Sequence, residues 1–224
     1  GRQSVRTITI KDADLRSLAG TGAQLVAIGG PAAARFLAEL PADAPFYYCM
    51  VSDPAAIGLH TDKRSRGITT EVPLSRQIRL MKEAAPDARR IGALHDSRNA
   101  ARAAAAASLL ARRIDLIWTS PDSAVYDATV LRAVLLAGVR AGVPVFGFSV
   151  PMVKAGALAG TGIDPGDQGL ELADVIVAGD RQPPGPRPPR VRIAVNTLVA
   201  EKLHKPLPRA VINAADHVYP EGER

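Results

Sequence analysis

The sequence predicts an α/β fold with parallel sheets flanked by helices, and three observations carry that expectation. Short apolar runs alternate with helix-like segments along the whole chain, several of the runs end in a small or polar turn that opens the next helix, and a proline-rich stretch interrupts the pattern once near the end. Strands alternating with helices of ten or more residues imply βαβ crossovers and parallel sheets covered on both faces.

Taken in order, "RTITI" reads as a strand followed by the helix "DADLRSLA", and "QLVAIGG" as a strand followed by "PAAARFLAEL". "FYYCMV" is apolar throughout, as a strand buried on both faces must be, and it runs into the turn "SDPAAIGL". After "GITTEVP" come the helix "SRQIRLMKEAAP", the strand "RRIGALHD", the alanine-rich helix "SRNAARAAAAASLLARR" and the strand "IDLIWTS". "SAVYDATVLRAVLLAGVRAG" is the next helix and "VPVFGFS" the next strand. "GDRQPPGPRPPRVR" is stiff and basic and reads as an exposed connection. The closing "VRIAVNTLVAEKLHKPLPRAVINAADHVYPEGER" gives a strand, a helix broken near Pro206 and Pro208, a second short helix and a frayed tail.

Composition narrows the function. With 224 residues and 47% hydrophobic content the chain can build one large core or two smaller ones. The net charge of +6 comes from arginines scattered along the chain, which reads as solvated surface rather than a nucleic-acid face. Four Phe, four Tyr and one Trp offer little for base stacking. No apolar run approaches the ~20 residues of a membrane span. The chain opens on "GRQSVRTITI" without a charged-then-apolar leader, as expected where a secretion signal has been removed or was never present. The single cysteine, Cys49, has no partner for an internal disulfide and reads as a buried strand thiol.

Catalytic and metal signatures are not found in the sequence. His60, His95, His204 and His217 stand far apart without HxH or HxxxH spacing, and neither GxSxG nor GxxxxGK[ST] occurs. "GTGIDPGDQG" has glycines at the wrong spacing for a dinucleotide loop. The expectation is therefore a non-enzyme without cofactor or metal. Candidate ligand residues fall at the strand-ending turns, because in open parallel sheets the ligand crevice lies beyond the carboxyl ends of the strands. Free backbone N–H groups at helix starts suit a carboxylate or phosphate there. These turns are Gly30-Pro31, Ser52-Asp53-Pro54, Asp96-Ser97 and Ser120-Pro121-Asp122. Their Ser, Asp and Pro residues serve equally as helix caps. Asp96 and Asp122 read as an acid–base pair, as anchors for a ligand ammonium, or as caps.

Several segments in order resemble the periplasmic solute-binding proteins of a bacterial ABC transporter family related to the tryptophan and tyrosine uptake binders. They are "LVAIGGPAAA", "VSDPAAIGL", "RGITTEVPLSRQIRLMKEAAPDARRIGALHDSRN", "IDLIWTSPDSAV", "GVPVFGFSVPMVKAGALAGTGIDPGDQGLELADVIVAG" and "RIAVNTLVAEKLHKPLPRAVINAADHV", spanning roughly residues 20–218. The resemblance implies two Rossmann-like lobes in a type I periplasmic-binding-protein fold, with the chain crossing between lobes three times and a solute at the hinge. On that pattern residues 1–70 and 155–182 form the first lobe, 71–154 and 190–224 the second, and 180–192 the proline-rich connection. The resemblance implies a pocket lined by Gly30, Ala32, Ser52, Asp53, Asp96, Ser97, Asp122, Ser123 and Ser149, with Asp164 as a further candidate. It implies an amino-acid-like solute with its carboxylate on backbone N–H groups at a helix start and its ammonium on Asp122 or a neighbouring carboxylate. It also implies a periplasmic or lipid-tethered protein partnered by an ABC transporter permease.

The chain departs from the family pattern at Pro31, where a hydroxyl residue is usual, and at Pro165-Gly166, where a tyrosine is common. The family's first strand and helix have no counterpart before "RTITI". Only one helix separates "RIGALHD" from "IDLIWTS", where the family places a helix, a strand and another helix. Shortened sheets leave edges open to another chain. The rival expectation is accordingly a degenerate homologue acting as a protein-interaction or sensory module, dimeric through those edges. An enzyme on a related scaffold is the third. A repressor's sensor domain would require a DNA-binding segment before the first strand.

Overall fold

A computed structural model describes residues 6–9, 11, 14–93, 110, 113–121 and 127–222. The chain divides into a first unit, Gly1–Glu71 with Asp164–Arg190, and a second unit, Val72–Ile163 with Val191–Arg224. The chain passes between them three times, and each unit has its own sheet and cores. In each unit helices flank a sheet, the α/β arrangement the sequence predicts.

In the first unit the elements are α1 (Leu15–Ala19), β1 (Val26–Ile28), α2 (Gly30–Glu39), β2 (Phe46–Val51) and β3 (Ser65–Thr69). Four strands pair in parallel in the order β1-β2-β3-β8, where β8 is Gly185–Arg187. The continuous apolar run of β2 follows from its two-sided burial. Phe46 and Tyr48 pack with Phe36 of α2 and Leu15 of α1 on one face. Tyr47 and Cys49 pack on the other with Leu172 and Val175 of the long helix that returns the chain to this unit, Pro165–Ala178.

Strict alternation would then put Val51 with Tyr47 and Cys49, yet Val51 joins Phe46 and Tyr48 while Met50 packs beside Cys49. A bulge accounts for the switch: Tyr48 pairs with Gly67 and Val51 with Thr69, so one extra residue is absorbed on β2. Met50 takes it up with φ 57°, a left-handed conformation rare for a residue with a side chain.

The second unit contains α3 (Leu74–Ala84), β4 (Ile91–Ala93), β5 (Leu116–Trp118), α4 (Ala128–Ala141), β6 (Val145–Gly147), α5 (Val150–Ala155) and β7 (Ala159–Gly162). After α6, the Pro165–Ala178 helix of the first unit, the chain comes back as β9 (Arg192–Asn196), α7 (Thr197–Lys202), α8 (Arg209–Ala214) and β10 (His217–Tyr219). Among the described residues the sheet has the order β10-β9-β7-β6-β5-β4. Helices cover both faces: α4 and α5 bury Val134, Leu135 and Val153 against Ile117 and Val145, while α3, α7 and α8 bury Leu80, Val199 and Val211 against Phe146 and Val195. Sharp caps bound α4, with Asp127 accepting from the Val130 N–H at 2.8 Å and Gly142 closing the helix at φ 69°.

Five expectations are corrected. Residues 6–9 of "RTITI" pair with no strand; Ile8 packs against the first unit's core and the sheet begins at Val26. Residues 155–163, expected in the first lobe, belong to the second unit, because Phe146 and Gly147 pair with Ala159 and Gly160 and extend the six-stranded sheet. The proline-rich connection 180–192 contributes β8, whose Gly185, Pro186 and Arg187 pair with Arg66, Gly67 and Ile68. Proline is tolerated there because the strand lies at an edge. The sheets are not wholly parallel, since β7 and β9 run antiparallel over four residue pairs. Within the expected frayed tail His217–Tyr219 instead form β10, held because Val218 and Tyr219 bury on opposite faces of the sheet.

Candidate ligand-binding site

In the first unit four of the sequence-predicted residues meet at the carboxyl ends of two adjacent parallel strands. Gly30 opens α2 directly after β1, with Ala32 in the same first turn, and Ser52 and Asp53 follow β2. The Gly29 N–H donates to the Cys49 carbonyl at 2.9 Å, which stitches the two turns together. Gly29 itself has φ 89°, so the entry to α2 needs a glycine. Pro31 occupies the first turn where it lacks an N–H, leaving Gly30 and Ala32 to present theirs. Ser52 and Asp53 are exposed, and the Asp53 carboxylate accepts from the Ala56 N–H at 2.9 Å, the role of a turn cap. Asp164 is exposed and caps α6, its Oδ1 accepting from the Asp167 N–H at 3.0 Å. It stands one helical turn before Gln168, which contacts the carboxyl ends of β2 and β3.

In the second unit Ser149 follows β6 and caps α5, its Oγ accepting from the Met152 N–H at 3.3 Å. Asp96, Ser97, Asp122 and Ser123 lie outside the described residues. The described strands that precede them in the chain, β4 and β5, run parallel to each other and to β6. Directly after β5, Thr119, fully buried, donates its hydroxyl to the Phe146 carbonyl at 2.7 Å and fixes the exit of that strand.

Two residues at strand ends, one in each unit, were not singled out from the sequence. Gln168 is 1% exposed; its Oε1 accepts from the Met50 N–H at 3.0 Å and its Nε2 donates to the Thr69 carbonyl at 2.7 Å. It thereby satisfies the backbone donor that the β2 bulge takes out of the ladder. Gln77 of α3 is its counterpart in the second unit, donating to the Val72 carbonyl and accepting from Trp118 Nε1, both at 3.0 Å. The sequence shows only a glutamine within each helix, with nothing to say which distant backbone it bonds. Among the described residues no group of three His, Cys, Asp or Glu side chains is placed to hold a metal ion. The arrangement offers helix-start N–H groups, hydroxyls and single carboxylates, which is the chemistry of binding a small polar molecule.

No family model matches the chain, and no curated protein matches it. Solved structures do. A substrate-binding protein with adhesive properties from Clostridium difficile, in its ligand-free open form, superposes with TM-score 0.72 at 21% identity over 90% of this chain and 80% of its own. A conserved domain protein from Vibrio cholerae O1 biovar El Tor gives TM-score 0.66 at 21% identity over 91% and 81%. An ABC domain in complex with L-Trp from Streptococcus pneumoniae gives 0.65 at 21% identity over 90% and 81%. This chain therefore has the fold of substrate-binding proteins across nearly its whole length.

Proposed function

We propose that the chain is the solute-binding component of an ABC importer, taking an amino-acid-like solute between the strand-ending turns of its two units without chemical conversion. The observation that carries the reading is the fold likeness over about nine-tenths of the chain to substrate-binding proteins, one of them in complex with L-Trp. The turns at Gly30, Ala32, Ser52 and Asp53 supply backbone N–H groups for a carboxylate, and Asp122 supplies an anion for an ammonium. On this reading the protein works outside the cytoplasm and hands its solute to a membrane permease. No helix among the described residues is long and apolar enough to cross a membrane.

The test is a thermal-shift panel of amino acids, with L-tryptophan and L-tyrosine included, followed by calorimetric titration of any hit. A ligand bound only by the folded state at ~100 times its Kd adds about 2.7 kcal/mol, a shift of a few degrees in a chain of this size. Asp122→Ala is expected to abolish the shift and Ser52→Ala to weaken it. No shift across the panel sinks the reading.

A second reading, an interaction module that dimerises, is favoured by one feature. The edge strand β1 leaves Ile28 67% exposed and Val26 37% exposed on the side of the sheet that α6 covers elsewhere. Concentration-dependent association without ligand, lost in Ile28→Lys, would support it.

A further inference from the structure

The chain passes between units at 71/72, 163/164 and 190/191, and on the first unit's side all three passages end on the first two turns of one helix, α6. The first passage leaves from the end of β3, where the Thr69 carbonyl accepts from Gln168 Nε2 at 2.7 Å. The second enters at α6 itself, where Asp164 caps the helix by accepting from the Asp167 N–H. The third leaves at Arg190, whose N–H donates to both carboxylate oxygens of Glu171, at 3.0 and 3.1 Å. The Arg190 guanidinium also stands 4.0 Å from Asp167, a carboxylate that is 8% exposed. Leu172 and Val175 seat the same helix in the core with Tyr47, Cys49 and Ile68, so these polar side chains project from a rigid element.

The second unit holds the far sides of two passages in the same manner. Gln77 ties Val72 to Trp118, and Asp216 accepts from the Ile193 N–H at 2.8 Å and from Arg192 at 3.0 Å. Fixed chain therefore approaches both sides of the first and third passages: the Thr70 N–H donates to the Val51 carbonyl and the Glu71 N–H to Thr69 Oγ1, both at 3.0 Å, which narrows the first link to the 71/72 joint and the third to buried Val191.

We propose that Asp167, Gln168 and Glu171 make α6 the mount of the hinge, clamping the three connecting segments on the first unit's side so that closure over a solute bends only the links beyond them. The proposal rests on the solute-binding reading for its purpose, but its geometry does not involve the ligand. Asp167, Gln168 and Glu171 act as positioning residues: by limiting the unit orientations the free protein samples, they raise the fraction competent to bind.

The deciding experiment needs no ligand. Spin labels at Ala38→Cys on α2 and Leu136→Cys on α4, both exposed, are placed in a Cys49→Ala background, and the distance distribution between them is measured by pulsed dipolar spectroscopy. Glu171→Ala is expected to broaden the distribution about twofold, and Glu171→Gln, which keeps an acceptor, to restore it. Gln168→Met, similar in size and without either hydrogen bond, is expected to broaden it as well. Amide exchange at Arg190 is expected to speed up about tenfold in Glu171→Ala, reporting that the clamp has opened. Faster exchange with an unchanged distribution overturns the proposal, since the contact then staples a loop and nothing more. Should Gln168→Met fail to fold, Glu171→Ala decides alone. If L-tryptophan binds the parent, its Kd is expected to rise about tenfold in Glu171→Ala. Absence of any ligand shift in the parent counts against solute binding and leaves the distance measurement standing.

Discussion

Asp115 concentrates more backbone and side-chain donors than any sequence pattern advertised. It accepts from the N–H groups of Arg89 and Arg90 at 3.0 and 2.8 Å and from the Arg90 guanidinium at 3.0 Å, just ahead of β5. The Arg90 side chain first, then the two backbone N–H groups, hold its carboxyl well below the usual carboxylate range. A folded-state value below the unfolded one contributes stability that is present above the unfolded value, near 3.9, and is lost as pH falls toward the folded value. Asp115→Asn is therefore expected to lower the urea midpoint at pH 7 and to narrow the gap between parent and variant as pH drops below about 4. An unchanged gap down to pH 2.5 would remove the carboxylate's role. Tyr48 makes the opposite case. Its hydroxyl is fully buried, meets no hydrogen-bond partner among the described residues, and is pushed up in pKa by that burial and by the charge of Asp62. Tyr48→Phe is expected to leave the urea midpoint unchanged or raise it by the equivalent of about 1 kcal/mol.

At the scale of elements, the glycine-rich segment after β6 becomes intelligible only through close packing. A Cβ on Gly160 would lie 2.5 Å from the Gly147 carbonyl oxygen of the adjacent strand and 2.8 Å from Val153. Since the nearest atom belongs to backbone, it cannot swing away, and Gly160→Ala is expected to cost about 1–3 kcal/mol in denaturant titration. Gly142→Ala offers the contrast: nothing lies near its Cβ, and only the positive φ of the α4 cap is strained. The sequence announced a glycine run but not its register, because contacts between β6, β7 and α5 are set by tertiary approach. The same limit explains the elements that were misplaced. "FYYCMV" was legible as a two-sided buried strand, whereas "RTITI" has the composition of a strand, yet its described residues 6–9 pair with no described strand. Gly185–Arg187 has the composition of a linker and forms an edge strand, where proline gives up no required ladder bond.

At the scale of the molecule, the alternation of strands and helices was enough to give the fold class, and the turns at Gly30-Pro31, Ser52-Asp53-Pro54 and Ser120-Pro121 do follow β1, β2 and β5. The bulge at Met50 and the side chains that answer it were not legible, because a glutamine in a helix carries no local sign of the distant backbone it will bond. Gln168 meets Met50 across 118 positions and Thr69 across 99. Such contacts join segments within one unit, while the cores remain separate: Leu80, Phe146, Leu158 and Val195 belong to the second unit, Phe36, Phe46 and Leu59 to the first. Separate cores connected through three passages should melt as distinguishable transitions unless something couples them. In scanning calorimetry, Leu158→Ala, which empties a site 1% exposed, is expected to lower one transition at a cost of about 2–5 kcal/mol and to leave the other in place. On the proposed function, a solute held by both units would supply the coupling, because it would bind only when both are folded. Saturating ligand should then merge the two transitions in the parent and carry the Leu158→Ala defect into the melting of the first unit. A ligand that raises a single transition and leaves the other where it was would place its contacts within one unit, and the interunit reading of the site would fall.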